Sequence, residues 1–324
     1  MKPIAAKAHK NLHKASVYAG HAAQRLIPAR WLQHRQRRLL RQVEALPPAE
    51  QQAIWQRVHY YNRLTGPVAL PQDALCLAHF QREKSWSYYL DLVSLLRYFS
   101  PELRFCHQFG DVREVPEVPT LVKSRPIGEH NHNSVLLKLN RVRHYYLPGD
   151  PLSFEQKRPL AVWRGACHQE HRRRFVRDFH DHPLCNVADI HRNAAGNPWH
   201  GGFLSVSEQL HYRYILSLEG KDVATNLKWI MASNSLCLMR RPRFETWFME
   251  GQLRPGHHYV QLEDDYSDLD DKIAYYEANP EEAKAIILQA NRYVAIFRNA
   301  ERERLIGLLV LRKYFADSGQ LPAW

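Results

Sequence analysis

Three short segments concentrate the side chains that could do chemistry. The first runs from Val122 to Ser134 and on to Arg143-His144. It is polar and turn-rich, and it sets one carboxylate, Glu129, among Lys123, Arg125, His130, Asn131, His132 and His144. A carboxylate so placed can serve as a general base toward an acceptor hydroxyl, and its cationic neighbours hold its basicity down unless burial offsets them. The second segment is Trp163-Arg164-Gly165-Ala166-Cys167, followed by Arg172-Arg173-Arg174. The third is Ser217-Leu218-Glu219-Gly220-Lys221-Asp222, followed by Asn226, Leu227, Lys228 and Trp229. In both, a glycine stands where an apolar run ends and a helical pattern begins, where backbone N–H groups and the helix dipole favour a phosphate. Arg164, Arg172 and Lys228 would complete the charge for a diphosphate. Neither glycine belongs to a Walker or G-x-G-x-x-G loop, so by spacing alone a plain turn is the simpler reading of each.

Other chemistries leave weaker traces. His130-x-His132, and Cys167-His168 with His171, could ligate a metal, but no fourth ligand accompanies them, and no metal or cofactor is expected. Cys167 or Cys237 could be a hydrolase nucleophile, although Cys237 lies inside an apolar run that reads as core. Trp247, Phe248 and Tyr259 could stack on a base or a sugar, and Glu245 and Glu250 could hold sugar hydroxyls; packing is the competing reading for the rings. Asp150 is a second candidate base, within a Gly-Asp-Pro turn. The five cysteines are scattered without a C-x-x-C pair, which suits reduced thiols in a cytoplasmic chain.

The elements that must position these groups follow from periodicity and punctuation. The chain has 324 residues with 45% hydrophobic content, enough for one large domain or two ordinary ones. No apolar run approaches the ~18 residues of a membrane span, and no secretory leader is read at the start. Net charge is +12, of which +9 falls in residues 1–48, where ten basic residues face Glu44 alone. That block reads as two helices broken at Pro28 and stopped at Pro47-Pro48, with the apolar stripe of the first beginning at Ile4 and Ala8. It suits an anionic membrane surface. It has few interleaved aromatics, so no nucleic-acid partner is expected. Helices are expected over 49–66, 84–99, 171–180, 223–232, 281–297 and 302–315, and strands at 104–110, 118–122, 160–163, 214–218, 235–239 and 255–262. Residues 134–147 fit either. Strand, turn, helix, strand in the second half is the signature of a parallel sheet and an α/β fold, with a boundary near 148–159.

The ordered set Lys123-Ser124-Arg125-Pro126, Asn133 to Leu139, Arg143-His144, Trp163-Arg164-Gly165, Ser217 to Asp222, Ser233-Asn234-Ser235, Glu245 to Gly251 and His258-Tyr259-Val260 resembles glycosyltransferase family 90 over roughly residues 100–316. Within that family it is most similar to the bacterial lipopolysaccharide A proteins, and more distantly to capsule-associated proteins and protein O-glucosyltransferases. The resemblance implies a GT-B architecture of two Rossmann-like domains, to which the charge and periodicity of residues 1–48 add a helical basic N-terminal extension. Its domains would be a basic segment 1–48, an acceptor-side domain 49–155, and a nucleotide-sugar domain 156–324 whose last helix crosses back. It further implies inverting, metal-independent transfer of a hexose or pentose from a UDP-sugar to a lipopolysaccharide core or lipid-linked acceptor, at the cytoplasmic face of the inner membrane. Glu129, six residues after Lys123, falls where the animal relatives have their base. Arg164, Gly165, Arg172, Glu219, Gly220, Asn226, Lys228 and Trp247 fall on the donor side, and Lys123, Arg125, Asn131 and His144 on the acceptor side. The family arginine expected at position 226 is Asn226 here, with Lys228 as the nearby charge. A non-enzymatic binder of anionic polysaccharide or membrane is the alternative.

Overall fold

The computed structural model describes residues 3–83 and 85–322, with side chains described from residue 11. The side chains of Lys2, Lys7 and Lys10, and of Ile4 and Ala8 in the expected stripe, lie outside the described set. Proline punctuates the first helices as expected. α1 (Pro3–Arg25) stops before Pro28, α2 (Ala29–Glu44) stops before Pro47, and α3 (Pro48–Tyr61) takes Pro48 into its first turn, where a missing N–H costs nothing. There follow β1 (Leu75–Cys76), α4 (Trp86–Leu96), β2 (Arg104–Gln108), β3 (Thr120–Val122), β4 (Ser124–Pro126), β5 (Ser134–Leu136) and the short α5 (Arg141–His144). The ambiguous stretch 134–147 therefore divides into a strand and a single helical turn. The second half then alternates through β6 (Arg158–Gly165), α6 (Glu170–Phe179), β7 (Cys185–Asp189), α7 (Val206–Gln209), β8 (Tyr212–Leu216), α8 (Leu227–Met231) and β9 (Leu236–Met239). It closes with β10 (Phe244–Thr246), β11 (Val260–Gln261), α9 (Leu269–Ala278), α10 (Pro280–Ala295) and α11 (Ala300–Asp317).

The chain forms two compact units. One holds Arg143–Pro242 and Glu250–Ile296 with the first turns of α1; the other holds Lys14–Val142, Arg243–Met249 and the chain from Phe297 onward. In the first, five strands lie in the order β11-β9-β8-β6-β7, every pairing parallel. Ala161-Val162-Trp163, Tyr214-Ile215-Leu216 and Leu236 to Leu238 are buried as continuous runs, the pattern a sheet covered on both faces requires. The chain goes from β6 outward to β7 and returns on the other side of β6 as β8. The winding reverses there, which makes the carboxyl ends of β6 and β8 the topological switch point.

The second unit has its own sheet, β1-β2-β3-β5, with β2, β3 and β5 parallel and β1 antiparallel at the edge. A separate antiparallel ribbon pairs β4 with β10. The apolar run Ile306 to Leu311 of α11 is buried in this unit's core. Tyr314 fixes the helix to the sheet, its hydroxyl donating to Pro119 O (2.9 Å) and accepting from Cys106 N–H (3.1 Å). Near the start of α11, the buried Glu303 accepts from Arg57 (2.6 Å), Lys138 (2.9 Å) and the Trp247 indole (2.6 Å). Among the described residues, no helix is long and apolar enough to cross a membrane.

Candidate functional site

The switch point of the parallel sheet is built from both glycine corners. Trp163, at the end of β6, is buried and folds its ring over Gly165, where a Cβ would come within 2.5 Å of the indole. Gly165 is thus a packing glycine, admitting the ring that supports the corner. Gly220 is different: a Cβ there would meet Arg172 only at 3.5 Å, an ordinary contact. Arg172, on α6, joins the two corners. Its guanidinium lies over Trp163 (5.4 Å to the ring centre) and donates to Ala166 O (3.2 Å), Leu218 O (2.7 Å) and Glu219 O (2.8 Å). His171 Nε2 lies 2.9 Å from the same Glu219 carbonyl. Burial pulls the Arg172 pKa below its ordinary value, yet a guanidinium remains a cation at neutral pH.

The other donor-side residues have equally definite partners. Arg164 donates to Asn186 O (2.7 Å), Asn186 Oδ1 (2.6 Å) and Gly202 O (3.0 Å), tying the end of β6 to β7 and to the 196–205 loop. Asn226 donates to Leu216 O (2.9 Å) and accepts from the Ser217 hydroxyl (3.3 Å), so position 226 clips the end of β8. Lys228 is buried with Glu250 at 3.0 Å, and its charge is matched by that carboxylate. Trp247, expected with this group, lies in the other unit: it stacks on Tyr61 at 3.9 Å with its N–H on Glu303, and its ring is 1% exposed. Its environment is that of a packed core ring, the competing reading of that position. Glu245 and Glu250, weighed for sugar hydroxyls, are both buried in ion pairs.

The surroundings of Cys167 disfavour the thiolate that a nucleophile needs. Its thiol is pushed up to about 12, by burial first and then by Asp189, which accepts the Cys167 N–H at 3.2 Å. Cys237 is fully enclosed in β9 and also raised by burial. The five cysteines are free, and the hydrolase reading falls on these two environments.

In the second unit the ribbon β4–β10 carries the Glu129 loop. Arg125 is wholly buried and donates to Glu245 Oε1 (2.7 Å), Tyr60 O (2.6 Å) and Ser134 O (3.0 Å). It is therefore Glu245, and not Glu129, that partners Arg125. The Tyr60 hydroxyl also donates to Glu245, and burial with this carboxylate raises the Tyr60 pKa. Asn131 closes the neck of the loop, its amide donating to Pro126 O (2.9 Å) while its Oδ1 accepts from Arg63 (3.0 Å), which also reaches Gly128 O (3.0 Å). Glu129 is exposed on the segment so tethered. Lys123 is buried against Asp111 (2.7 Å). His144 is buried in the other unit. The side chain of Asp150, the second candidate base, is 2% exposed and accepts from Lys157 (2.7 Å), Asn234 N–H (2.8 Å) and Leu152 N–H (3.2 Å), which makes it an anchor for its turn. Tyr60 and Arg63 carry no motif of their own; their only sequence signal is a polar end, Tyr60-Tyr61-Asn62-Arg63, to an otherwise amphipathic helix.

A doubly wound sheet with two stapled corners at its switch point defines an α/β protein of the class that binds ligands at the carboxyl ends of its strands. Comparison with known proteins sharpens this. The model of the family described as Glycosyl transferase family 90 matches residues 148–302. The chain is 54% identical to the O-glucosyltransferase LpsA of Dichelobacter nodosus over 96% of its own length and 98% of that protein's. Shorter stretches are similar to protein O-glucosyltransferase 3: 36% identity to that of Rattus norvegicus over 23% of this chain and 15% of the relative, and 30% to that of Homo sapiens over 34% and 22%. The chain belongs to glycosyltransferase family 90, and it is a glycosyltransferase. The alternative of a non-enzymatic binder is thereby corrected.

Proposed function

We propose that the chain transfers glucose from UDP-glucose to a hydroxyl of a lipopolysaccharide core or its lipid-linked precursor, with inversion and without a metal ion. The observation that carries the reading is the joining, by Arg172, of the Gly165 and Gly220 corners at the switch point. Two strand ends with their backbone N–H groups, backed by fixed guanidinium charge, suit a diphosphate. The printed names of the relatives, O-glucosyltransferase LpsA and protein O-glucosyltransferase 3, favour glucose. In this reading the two units are the lobes of a GT-B enzyme.

Glu129 takes the proton of the acceptor hydroxyl as its oxygen attacks the anomeric carbon. The bond from that carbon to the β-phosphate oxygen breaks on the opposite face, and UDP departs with the electron pair. The ring passes through an oxocarbenium-like state, as in glycoside hydrolysis. Arg164 and Arg172 act by holding the corners, and Lys228, paired with Glu250, adds charge behind them. The acceptor side comprises the Glu129 loop with Lys123, Arg125 and Asn131 beneath it. The basic residues of 1–48 bring the enzyme to the anionic cytoplasmic face of the membrane that carries the acceptor.

Incubation with a panel of UDP-sugars and core oligosaccharide, read by mass spectrometry, tests this. A single hexose addition from UDP-glucose, in the presence of EDTA, is expected. Addition from another donor alone, or addition only with a divalent cation, contradicts it.

A further inference from the structure

In the unit that holds α3, α1 and α4 flank an open cavity of about 380 Å³ lined by Tyr18, His21, Ala22, Arg25, Trp86 and Leu90. Its framework is fixed by polar contacts. His21 Nε2 lies 3.1 Å from Asp91 Oδ1, and Arg141 donates to the same carboxylate from its Nε (2.6 Å) and its backbone N–H (2.8 Å). Gln24 donates to Ser94 O (2.6 Å) and Arg97 donates to Gln24 O (2.6 Å), holding α1 to α4 beside the opening. The walls are aromatic and aliphatic, and the exposed polar group is Arg25.

Next to Arg25, the corner between α1 and α2 presents Leu26 at 86% exposure and Trp31 at 52%, and Trp86 on the cavity wall is 49% exposed. Single exposed apolar side chains are ordinary. These stand among arginines: Arg25 precedes Leu26, Arg30 precedes Trp31, Arg35 lies over the Trp31 ring at 5.6 Å and Arg82 over the Trp86 ring at 4.5 Å. Between residues 11 and 48, Lys14, Arg25, Arg30, Arg35, Arg37, Arg38 and Arg41 face a single acidic residue, Glu44. Leucine and tryptophan ringed by cations match the depth profile of an anionic bilayer, with acyl boundary, headgroup level and phosphate in turn.

We propose that the α1–α2 corner inserts Leu26 and Trp31 into the headgroup–acyl boundary of an anionic membrane, and that the adjoining cavity receives an acyl chain of a lipid whose phosphate meets Arg25. This rests on the reading that the acceptor is lipid-linked, and it names the surface by which the enzyme reaches it. Charge alone would give binding that salt abolishes; the inserted side chains add a part that salt leaves standing.

Flotation of the full chain with phosphatidylethanolamine–phosphatidylglycerol vesicles, and with phosphatidylcholine vesicles, tests the proposal. The wild type floats with the anionic vesicles only, and lipids brominated on their acyl chains quench its tryptophan emission. The double variant Leu26→Ser/Trp31→Ser, altered at exposed positions, floats about tenfold less and loses the quenching. Equal flotation of the double variant, unquenched emission in the bound wild type, or no flotation of the wild type overturns it. Transfer to water-soluble core oligosaccharide, measured on the same preparations, separates this surface from the reaction. Retained transfer by the non-floating variant is expected, whereas absent transfer in the wild type counts against the acceptor reading alone.

Discussion

At the scale of single residues, the two glycines show how one sequence signal can have two causes. Both stand in the corner that follows a strand, Gly165 at the end of β6 and Gly220 four residues past β8, and spacing could not separate them. Gly165 is required by the ring of Trp163, whereas Gly220 has room for a methyl group. Glu129 is the reverse case. The family pattern assigns it a role that spacing alone does not, and the contacts around its loop were not legible: the neighbouring Arg125 is taken by Glu245, more than a hundred residues away in sequence. The proposal that the exposed Glu129 is the base predicts that Glu129→Gln lowers turnover by about 10²–10⁴-fold while leaving UDP affinity and Tm unchanged. Steady-state kinetics beside a UDP titration checks this; a variant with wild-type turnover removes Glu129 from the reaction.

At the scale of elements, apolar strands, amphipathic helices and the mixed strand β2 were readable, and the polar strands β4 and β7 were not. β6, β8 and β9 announce themselves as buried runs. β7, Cys185-Asn186-Val187-Ala188-Asp189, has too little apolar length to stand out. The ribbon of Ser124-Arg125-Pro126 with Phe244-Glu245-Thr246 is invisible because it joins two distant, polar segments around a buried ion pair. Breaking that pair leaves an uncompensated charge, so Glu245→Gln destabilises by about 3–5 kcal/mol, seen as a lower denaturation midpoint. A loss under a tenth of that size means the ribbon is held by other contacts. The loop leading into β11 adds a pH dependence. His258 accepts the Arg254 N–H at its Nδ1 (3.0 Å), which requires the neutral ring, and burial, with His257 and Arg254 beside it, lowers its pKa from 6.5 to about 4. The folded value lies below the unfolded one, so the unfolded chain takes the proton first. The stabilisation is complete above about pH 6.5 and is lost as the pH falls toward 4. Tm should fall more between neutral pH and mild acid in the wild type than in His258→Asn, whose side-chain oxygen accepts the same N–H without titrating. Equal falls place the acid sensitivity elsewhere.

At the scale of the whole molecule, the α/β class and the parallel sheet of the second half followed from the alternation of strand and helix. What the sequence did not disclose is that Arg243–Met249 belongs, with α11, to the unit that holds α3; Trp247, Arg57 and Lys138 all converge there on Glu303, contacts between residues with no local pattern in common. The same long-range pairing explains why Trp247 read as a ligand-stacking ring and is core. The proposed chemistry depends on one place, the corner at the end of β8 that Arg172 joins to Gly165. The most direct measurement is calorimetric titration of UDP, in EDTA, into the wild type and Gly220→Ala, whose added methyl the fold accommodates without strain. Binding by the wild type, at least about tenfold weaker in the variant with Tm unchanged, is the predicted result. Equal affinity in the two proteins, or no UDP binding by the wild type, contradicts the assignment of the donor diphosphate to this corner.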